Sequence, residues 1–362
     1  MNNTSANPRL ASPVEQVQHC LKTLAGAGDG VLVAVSGGSD SVALLAAAAQ
    51  SWPHVQAAHV HHGLRAGADD DVVAVTSLCA DLAVPLQSMS CPPAHGADRS
   101  ETAARARRLE ALASWAANQG LPWILTAHHL DDALETALLN LRRGHRGARA
   151  LAGIPTVRPA RDGAEPQGPR YLRPFLHGSA PPGRRDLRDW RVAQGLPAVH
   201  DETNDDLSIP RNGLRALLAR DEQPLTGQRL AGLRRSALGV LQRQVGRAVE
   251  SLAAHLAREG LGARLDAAAL DTASAHGHWV ECLRLLGPCL APAHRLDLRG
   301  TVLKRLAESL ARGRGQLLLP AWPEPLLVEC RPDGLHFPAV SVAAGDPLAR
   351  VLNGLWATPL FL

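Results

Sequence analysis

Lysine is almost missing from this chain. Of its 38 basic residues only Lys22 and Lys304 are lysines, so its positive charge is carried by arginine, whose planar fork suits phosphates and base edges. Aromatic residues make up 3%, with a single tyrosine and three phenylalanines, which leaves few platforms for stacking exposed bases. The six cysteines (Cys20, Cys79, Cys91, Cys282, Cys289 and Cys330) form no C-x-x-C pair, which argues against structural zinc and suits thiols in a reducing compartment. The longest apolar run, Val42 to Ala49, falls far below the ~18 residues of a membrane span. With no apolar leader after Met1, the expectation is a cytoplasmic protein with no membrane contact.

What is present fits a globular protein of more than one domain. The 362 residues exceed the ~150 typical of one domain, and 46% hydrophobic with 20% charged residues is ordinary for a folded, water-exposed chain. The net charge is only +4, and GC-rich coding would explain an excess of arginine over lysine as well as a polyanionic partner would. Position discriminates better. Between Arg142 and Arg191 twelve arginines face four acids, and between Arg229 and Arg258 six face Glu250 alone, as expected of surfaces that follow a nucleic-acid backbone.

The first two hundred residues alternate short apolar runs with amphipathic stretches, the pattern of an α/β domain with a doubly wound, mostly parallel sheet. Strands are predicted at 31–35, 55–60, 85–90 and 123–127, and helices at 40–50, 68–82 and 100–119 and from about Asp131. The Gly- and Pro-rich stretch 158–183 reads as a surface excursion. Helical periodicity at 229–259 and 296–312 predicts a helical domain, and short strands at 316–319, 325–330 and 334–337 predict a small β-rich end. The expected division is therefore 1–215, 216–312 and 313–362. Ligands of such a fold bind at the carboxyl ends of the strands.

Three motifs follow predicted strands there. Ser36-Gly37-Gly38-Ser39-Asp40-Ser41 joins a strand to a helix, with glycines that admit an anion and hydroxyls and helix amides that bind it. It lacks the lysine of a Walker A loop and the G-x-G-x-x-G of a dinucleotide fold. A plain turn explains the glycines but not four hydroxyl or carboxyl groups in six residues. His59-Val60-His61-His62-Gly63-Leu64-Arg65 follows the second strand; alternation separates its histidines, which favours a contact loop over a metal site. His128-His129-Leu130-Asp131-Asp132-Ala133-Leu134-Glu135-Thr136 follows the fourth, and helical spacing gathers its carboxylates within one turn, where they can take Mg²⁺ or a cationic amine. Acidic residues also stabilise a helix start, so this cluster alone leaves both readings open. Two further segments stand out: Glu101-Thr102-Ala103-Ala104-Arg105-Ala106-Arg107-Arg108, which puts Arg105 and Arg108 on one helix face, and the polar stretch from Asp201 to Arg215 with Asn204 and Arg211-Asn212.

Ser36 to Ser41 after its strand resembles the PP-loop of the ATP pyrophosphatases. With His-x-His-His-Gly-Leu, Glu-x-x-x-Arg-x-x-Arg, His-His-x-Asp-Asp-x-x-Glu-Thr and Asp-x-Thr-Asn followed by Arg-Asn, the order and spacing over about 31–215 are similar to the tRNA(Ile)-lysidine synthase family. That resemblance implies adenylation of the wobble cytidine in the CAU anticodon of an isoleucine tRNA, then attack by L-lysine to give lysidine, AMP and pyrophosphate. It implies ATP held by Ser36, Gly37, Gly38, Ser39, Asp40, Ser41 and Arg105, with Mg²⁺ at Asp40. It also implies lysine at His128, Asp132, Glu135 and Arg211, and catalysis by Asp40, Arg105, Asp132 and Glu135. A homodimer is compatible with the pattern, and the sequence leaves oligomeric state open.

Two other readings share the loop. A tRNA thiolase would need sulfur-carrying cysteines near the site, and neither Cys79 nor Cys91 has such a setting. An inactive arginine-rich RNA-binding relative would have no use for the carboxylate cluster. In three places the sequence departs from the family pattern: Ile209 precedes Pro210-Arg211 where an aromatic residue is common, Pro181-Pro182 interrupts the approach to Arg184-Arg185-Asp186, and the last fifty residues are short for a full acceptor-stem-binding domain.

Overall fold

The computed structural model describes residues 11–61, 68–91, 100–160, 168–199, 213–215, 224–259, 262–266, 295–296, 315–319, 321–322, 326–331 and 334–337. Its residues cluster into two compact units, Met1–Ala160 with Pro169–Leu238 and Arg161–Gly168 with Gly239–Leu362.

In the first unit the order is α1 (Pro13–Leu24), β1 (Val31–Ala34), α2 (Ser39–Ser51), β2 (Val55–His61), α3 (Ala68–Asp81), β3 (Leu86–Ser90), α4 (Glu101–Asn118), β4 (Trp123–Leu125), α5 (Leu130–Arg142) and α6 (Ala148–Ala152). It continues with β5 (Val157–Pro159), β6 (Arg170–Leu172), a 3₁₀ turn at Pro174–Leu176 and α7 (Arg184–Ala193). The sheet runs β3-β2-β1-β4-β6-β5, parallel except for β5. This is the doubly wound α/β arrangement expected.

The order in which strands are added reverses between β1 and β4, which are parallel neighbours in the sheet. Right-handed crossovers then put α2 and α4 on opposite faces and open a crevice beyond the carboxyl ends of β1 and β4. The α2 side chains from Val42 to Ala48 are wholly buried, so this Ala-rich helix is fixed from several sides and its first turn is held rigidly at the crevice. On the α4 face Leu32, Ala58, Ile124 and Tyr171 pack against Leu112, Ala113 and Ala116.

The stretch 158–183 differs from its expectation. Apart from 161–167, which lie outside the described residues, it supplies β5, β6 and the buried Tyr171, Leu172, Phe175 and Leu176. Its proline and glycine residues flank two three-residue strands too short to show an alternation of their own. Helix α1 was also not anticipated, although Ser12 and Glu15 form a reciprocal capping box around Pro13.

Helix α5 is seated by α6 through Gly153. At φ +69° this residue is in the left-handed region, and a side chain there would put Cβ 2.1 Å from the Ala133 carbonyl oxygen. Gly153→Ala should therefore lower the melting temperature by at least the 2–4 °C that ~1 kcal/mol gives in a domain of roughly 200 residues, checked by calorimetry.

Helix α8 (Pro224–His255) follows, with its early residue Arg234 buried and donating to the Ala152 and Ile154 carbonyls at 3.1 and 3.3 Å. The second unit contains a sheet of β10 (Gly315–Leu319), β12 (Leu326–Arg331), β13 (Gly334–Phe337), β8 (Gly262–Asp266) and β7 (Leu256–Glu259), in that order. A two-stranded piece pairs β11 (Ala321–Trp322) with β9 (Arg295–Leu296). Strands β7 and β8 depart from the helical reading of 229–259 and its surroundings, because β8 gains a full ladder against β13, which outweighs local propensity. The helix expected at 296–312 lies outside the described residues apart from Leu296. No helix among the described residues is long and apolar enough to cross a membrane.

Candidate active site

The loop after β1 is drawn tight by its own hydroxyls. Ser41 Oγ donates to the Gly38 carbonyl at 2.9 Å, accepts from the Ser36 amide at 3.2 Å and lies 3.2 Å from Ser36 Oγ. Gly38 caps α2 without a side chain, which leaves the first helix amides pointing into the crevice. Gly37 has φ +86°, its carbonyl accepts from the Val199 amide at 2.9 Å, and a Cβ there would sit 3.3 Å from Val199 Cγ2. At Gly38 a Cβ would meet only Ser36 Oγ, at 3.6 Å.

The two glycines should therefore separate experimentally. Gly37→Ala is expected to cost about 1–2 kcal/mol of stability from backbone strain. Gly38→Ala should keep its melting temperature and lose affinity for a phosphate-bearing ligand, because its methyl enters the cradle. Calorimetry and nucleotide binding on both variants check this.

The second motif meets the loop through His129. This imidazole has no exposed surface, and its Nε2 lies 3.3 Å from Asp40 Oδ2 and 3.4 Å from Asp132 Oδ2, while Nδ1 lies 3.7 Å from Asp131 Oδ2. Burial alone would lower its pKa, but the adjoining Asp40 and Asp132 carboxylates outweigh that and hold it above the ordinary histidine value. His129 thus ties the loop carboxylate to the first turn of α5. Asp132 also accepts from the His129 amide at 3.1 Å, and its backbone carbonyl accepts from Thr136 Oγ1 at 2.8 Å.

Asp132 and Glu135 are both buried and come together as helical spacing expects. Arg184 Nη2 lies 3.7 Å from Asp132 and 3.6 Å from Glu135, and Arg215 Nε donates to Glu135 at 3.2 Å. Asp131 accepts from the Arg184 amide, fixing the start of α7 against α5. From the same helix Arg191 donates to Ser39 Oγ at 3.1 Å and to the Leu196 carbonyl, bringing a cation to a loop that has no lysine of its own.

Other expected residues fall differently. His128 Nδ1 bonds the Thr126 hydroxyl at 3.0 Å, and the histidine set among the carboxylates is its neighbour His129. Arg105 is exposed on α4. His59 is buried, with Nδ1 donating to the Val35 carbonyl at 2.9 Å; burial lowers its pKa, so it acts as a neutral brace between β2 and the end of β1. Arg211, and the segment from His62 to Arg65, lie outside the described residues. His129, Arg184, Arg191 and Arg215 were not singled out from sequence: Arg184 and Arg191 read as members of an arginine run. In that run Arg142, Arg143, Arg146, Arg149, Arg185 and Arg188 are exposed, whereas Arg173 is buried.

Residues 11–222 match the PP-loop domain. A tRNA(Ile)-lysidine synthase from Polaromonas naphthalenivorans is 43% identical over 51% of this chain and 54% of its own length. One from Bordetella bronchiseptica is 40% identical over 52% and 54%, so the chain spans about half the length of these two relatives. One from Methylobacterium nodulans is 36% identical over 82% of this chain and 83% of its own.

Proposed function

Because the chain belongs to the PP-loop family, and within it to the tRNA(Ile)-lysidine synthases, we propose that it uses ATP to join L-lysine to C2 of the wobble cytidine in the CAU anticodon of an isoleucine tRNA. The observation that carries this reading is the His129 bridge, which holds an ATP-type loop and a pair of buried carboxylates at one crevice.

In the first step the cytidine O2 attacks the α-phosphorus of ATP, the bond to the bridging oxygen breaks, and pyrophosphate leaves. The amides at the start of α2, the hydroxyls of Ser36, Ser39 and Ser41, and Arg191 would hold that leaving group. Asp40 suits Mg²⁺: its Oδ1 is buried with no hydrogen-bond partner, and one carboxylate with phosphate oxygens is a common magnesium set. Bound there, the ion would offset charge on the departing pyrophosphate. Arg105, exposed on the helix that begins at this sheet edge, would reach the α-phosphate or the adenylate.

In the second step the ε-amine of lysine attacks C2, and AMP leaves with the oxygen that O2 had supplied. Asp132 and Glu135 would receive the ammonium, orient it and accept its proton. These carboxylates already pair with Arg184 and Arg215, so lysine would enter by exchanging for a guanidinium. His128 and Arg211 remain candidates for contacts to lysine.

The two-step scheme is tested by timing. With ATP and tRNA alone, pyrophosphate should be released without a matching release of AMP, and AMP should follow when lysine is added. Simultaneous release of both without lysine would contradict an adenylated intermediate that waits for the amine.

A further inference from the structure

A second basic site lies along the same sheet edge, away from the loop. Arg173 directly follows β6 and is only 4% exposed. Its Nη1 donates to the Pro155 carbonyl at 2.6 Å, while its Nε is buried with no hydrogen-bond partner. Strand alternation places its side chain on the face of Tyr171, whose hydroxyl donates to the Leu109 carbonyl of α4 at 2.7 Å. Arg105 lies one helical turn before Leu109, near the start of α4, which is the end nearest the carboxyl edge. Arg158, paired with Tyr171 across β5 and β6, lays its guanidinium 4.6 Å from the centre of the Tyr171 ring. Burial, reinforced by the like charges of Arg158 and Arg105, holds the pKa of Arg173 down to about 9.

A buried cation with an unused donor and cationic neighbours is costly without an anion to complete it. The triphosphate already has the loop after β1. Strand β6 is two strands from β1, roughly 10 Å across the sheet, on the far side of β4. An anion beside Arg173 therefore lies further along the crevice than a pyrophosphate on the loop.

We propose that Arg173, with Arg158, forms a second anion site that takes a backbone phosphodiester of the RNA strand next to the base being modified. The inference rests on the reading that this chain acts on an RNA base. It assigns the sole tyrosine a place: Tyr171 is the floor on which Arg158 rests, and it ties β6 to α4 so that the arginines converge.

The test is equilibrium binding of CAU-anticodon tRNA, and separately of ATP with Mg²⁺, to the full chain and to Arg158→Gln, Arg173→Lys and Arg173→Gln. Arg158 is at the sheet's edge, so its variant keeps the test informative if Arg173→Gln fails to fold. Arg158→Gln and Arg173→Gln should each weaken tRNA binding about ten-fold at low salt, reduce the salt slope by about one phosphate, and leave ATP affinity within two-fold. Arg173→Lys, which keeps the charge and loses the Nε donor, should fall between. Unchanged tRNA affinity and slope in folded Arg158→Gln and Arg173→Lys would overturn the proposal, and so would a loss of ATP affinity in place of RNA affinity. Binding needs no turnover, so the two readings fail separately. An altered slope without lysidine formation supports the anion site and removes the reaction; lysidine formation with an unaltered slope does the reverse.

Discussion

Glu135→Gln should lower lysine-dependent turnover about 100-fold or more, the lower end of what a positioned proton acceptor contributes. The substitution preserves size and hydrogen bonding but removes a charge that is 1% exposed and set against Arg184 and Arg215. The loss should appear in the second step: pyrophosphate release on ATP and tRNA stays within a few-fold of normal, while transfer to lysine collapses. Asp132→Asn should also raise the lysine concentration needed for half-maximal rate, and it should affect the first step more than Glu135→Gln does, because Asp132 shares His129 with Asp40. Rapid-quench measurement of the two steps separates these outcomes. Normal lysine-dependent turnover with unchanged apparent lysine affinity in both variants would remove the role assigned to the pair.

His129→Leu should disable both steps and destabilise the protein. Its removal leaves the carboxylates of Asp40 and Asp132, each within 3.4 Å of one imidazole nitrogen, without the cation between them, Asp132 keeping only Arg184 at 3.7 Å. Breaking a fully buried charge pair costs about 3–5 kcal/mol; with the Asp40 side chain 30% exposed, about 2 kcal/mol is the appropriate scale. The pH dependence has a definite sign. The folded pKa of His129 is raised, so the folded state binds its proton more tightly than the unfolded chain does. This contribution is fully present below about pH 6.5, the unfolded value, and is lost as pH rises through the folded pKa. The difference in melting temperature between the parent and His129→Leu should therefore shrink on the alkaline side. A difference that is constant from pH 6 to 9 would show that the charge of His129 does not hold the loop to α5.

Much of the first unit was legible because its signals are local. Strands 31–34 and 123–125 are apolar runs, α4 carries its periodicity for 18 residues, and the loop from Ser36 to Ser41 contains its own hydroxyls and glycines. The convergence of Asp132 and Glu135 follows from helical spacing alone. The remainder depends on partners distant in sequence. Arg191 reaches Ser39 across 152 residues, Arg215 reaches Glu135 across 80, and the Arg184 amide reaches Asp131 across 53. No spacing rule connects such pairs, and within a run of twelve arginines the internal Arg173, Arg184 and Arg191 look like the exposed ones around them. The choice between His128 and His129 was similarly hidden, since only the direction in which the chain leaves β4 decides which ring turns in among the carboxylates. At β7 a helical pattern yields to a hairpin with β8, and β8 is held by a ladder to β13 some seventy residues later.

The central claim is that one crevice activates a cytidine with ATP and then delivers lysine to it. Mass analysis of the anticodon nucleosides, after the protein is incubated with ATP, Mg²⁺, L-lysine and CAU-anticodon isoleucine tRNA, tests it most directly. The account predicts that the wobble cytidine is converted to lysidine, and that omitting lysine or replacing Glu135 by Gln prevents the conversion. An unmodified cytidine under the complete conditions, with the protein folded and bound to the tRNA, would contradict it.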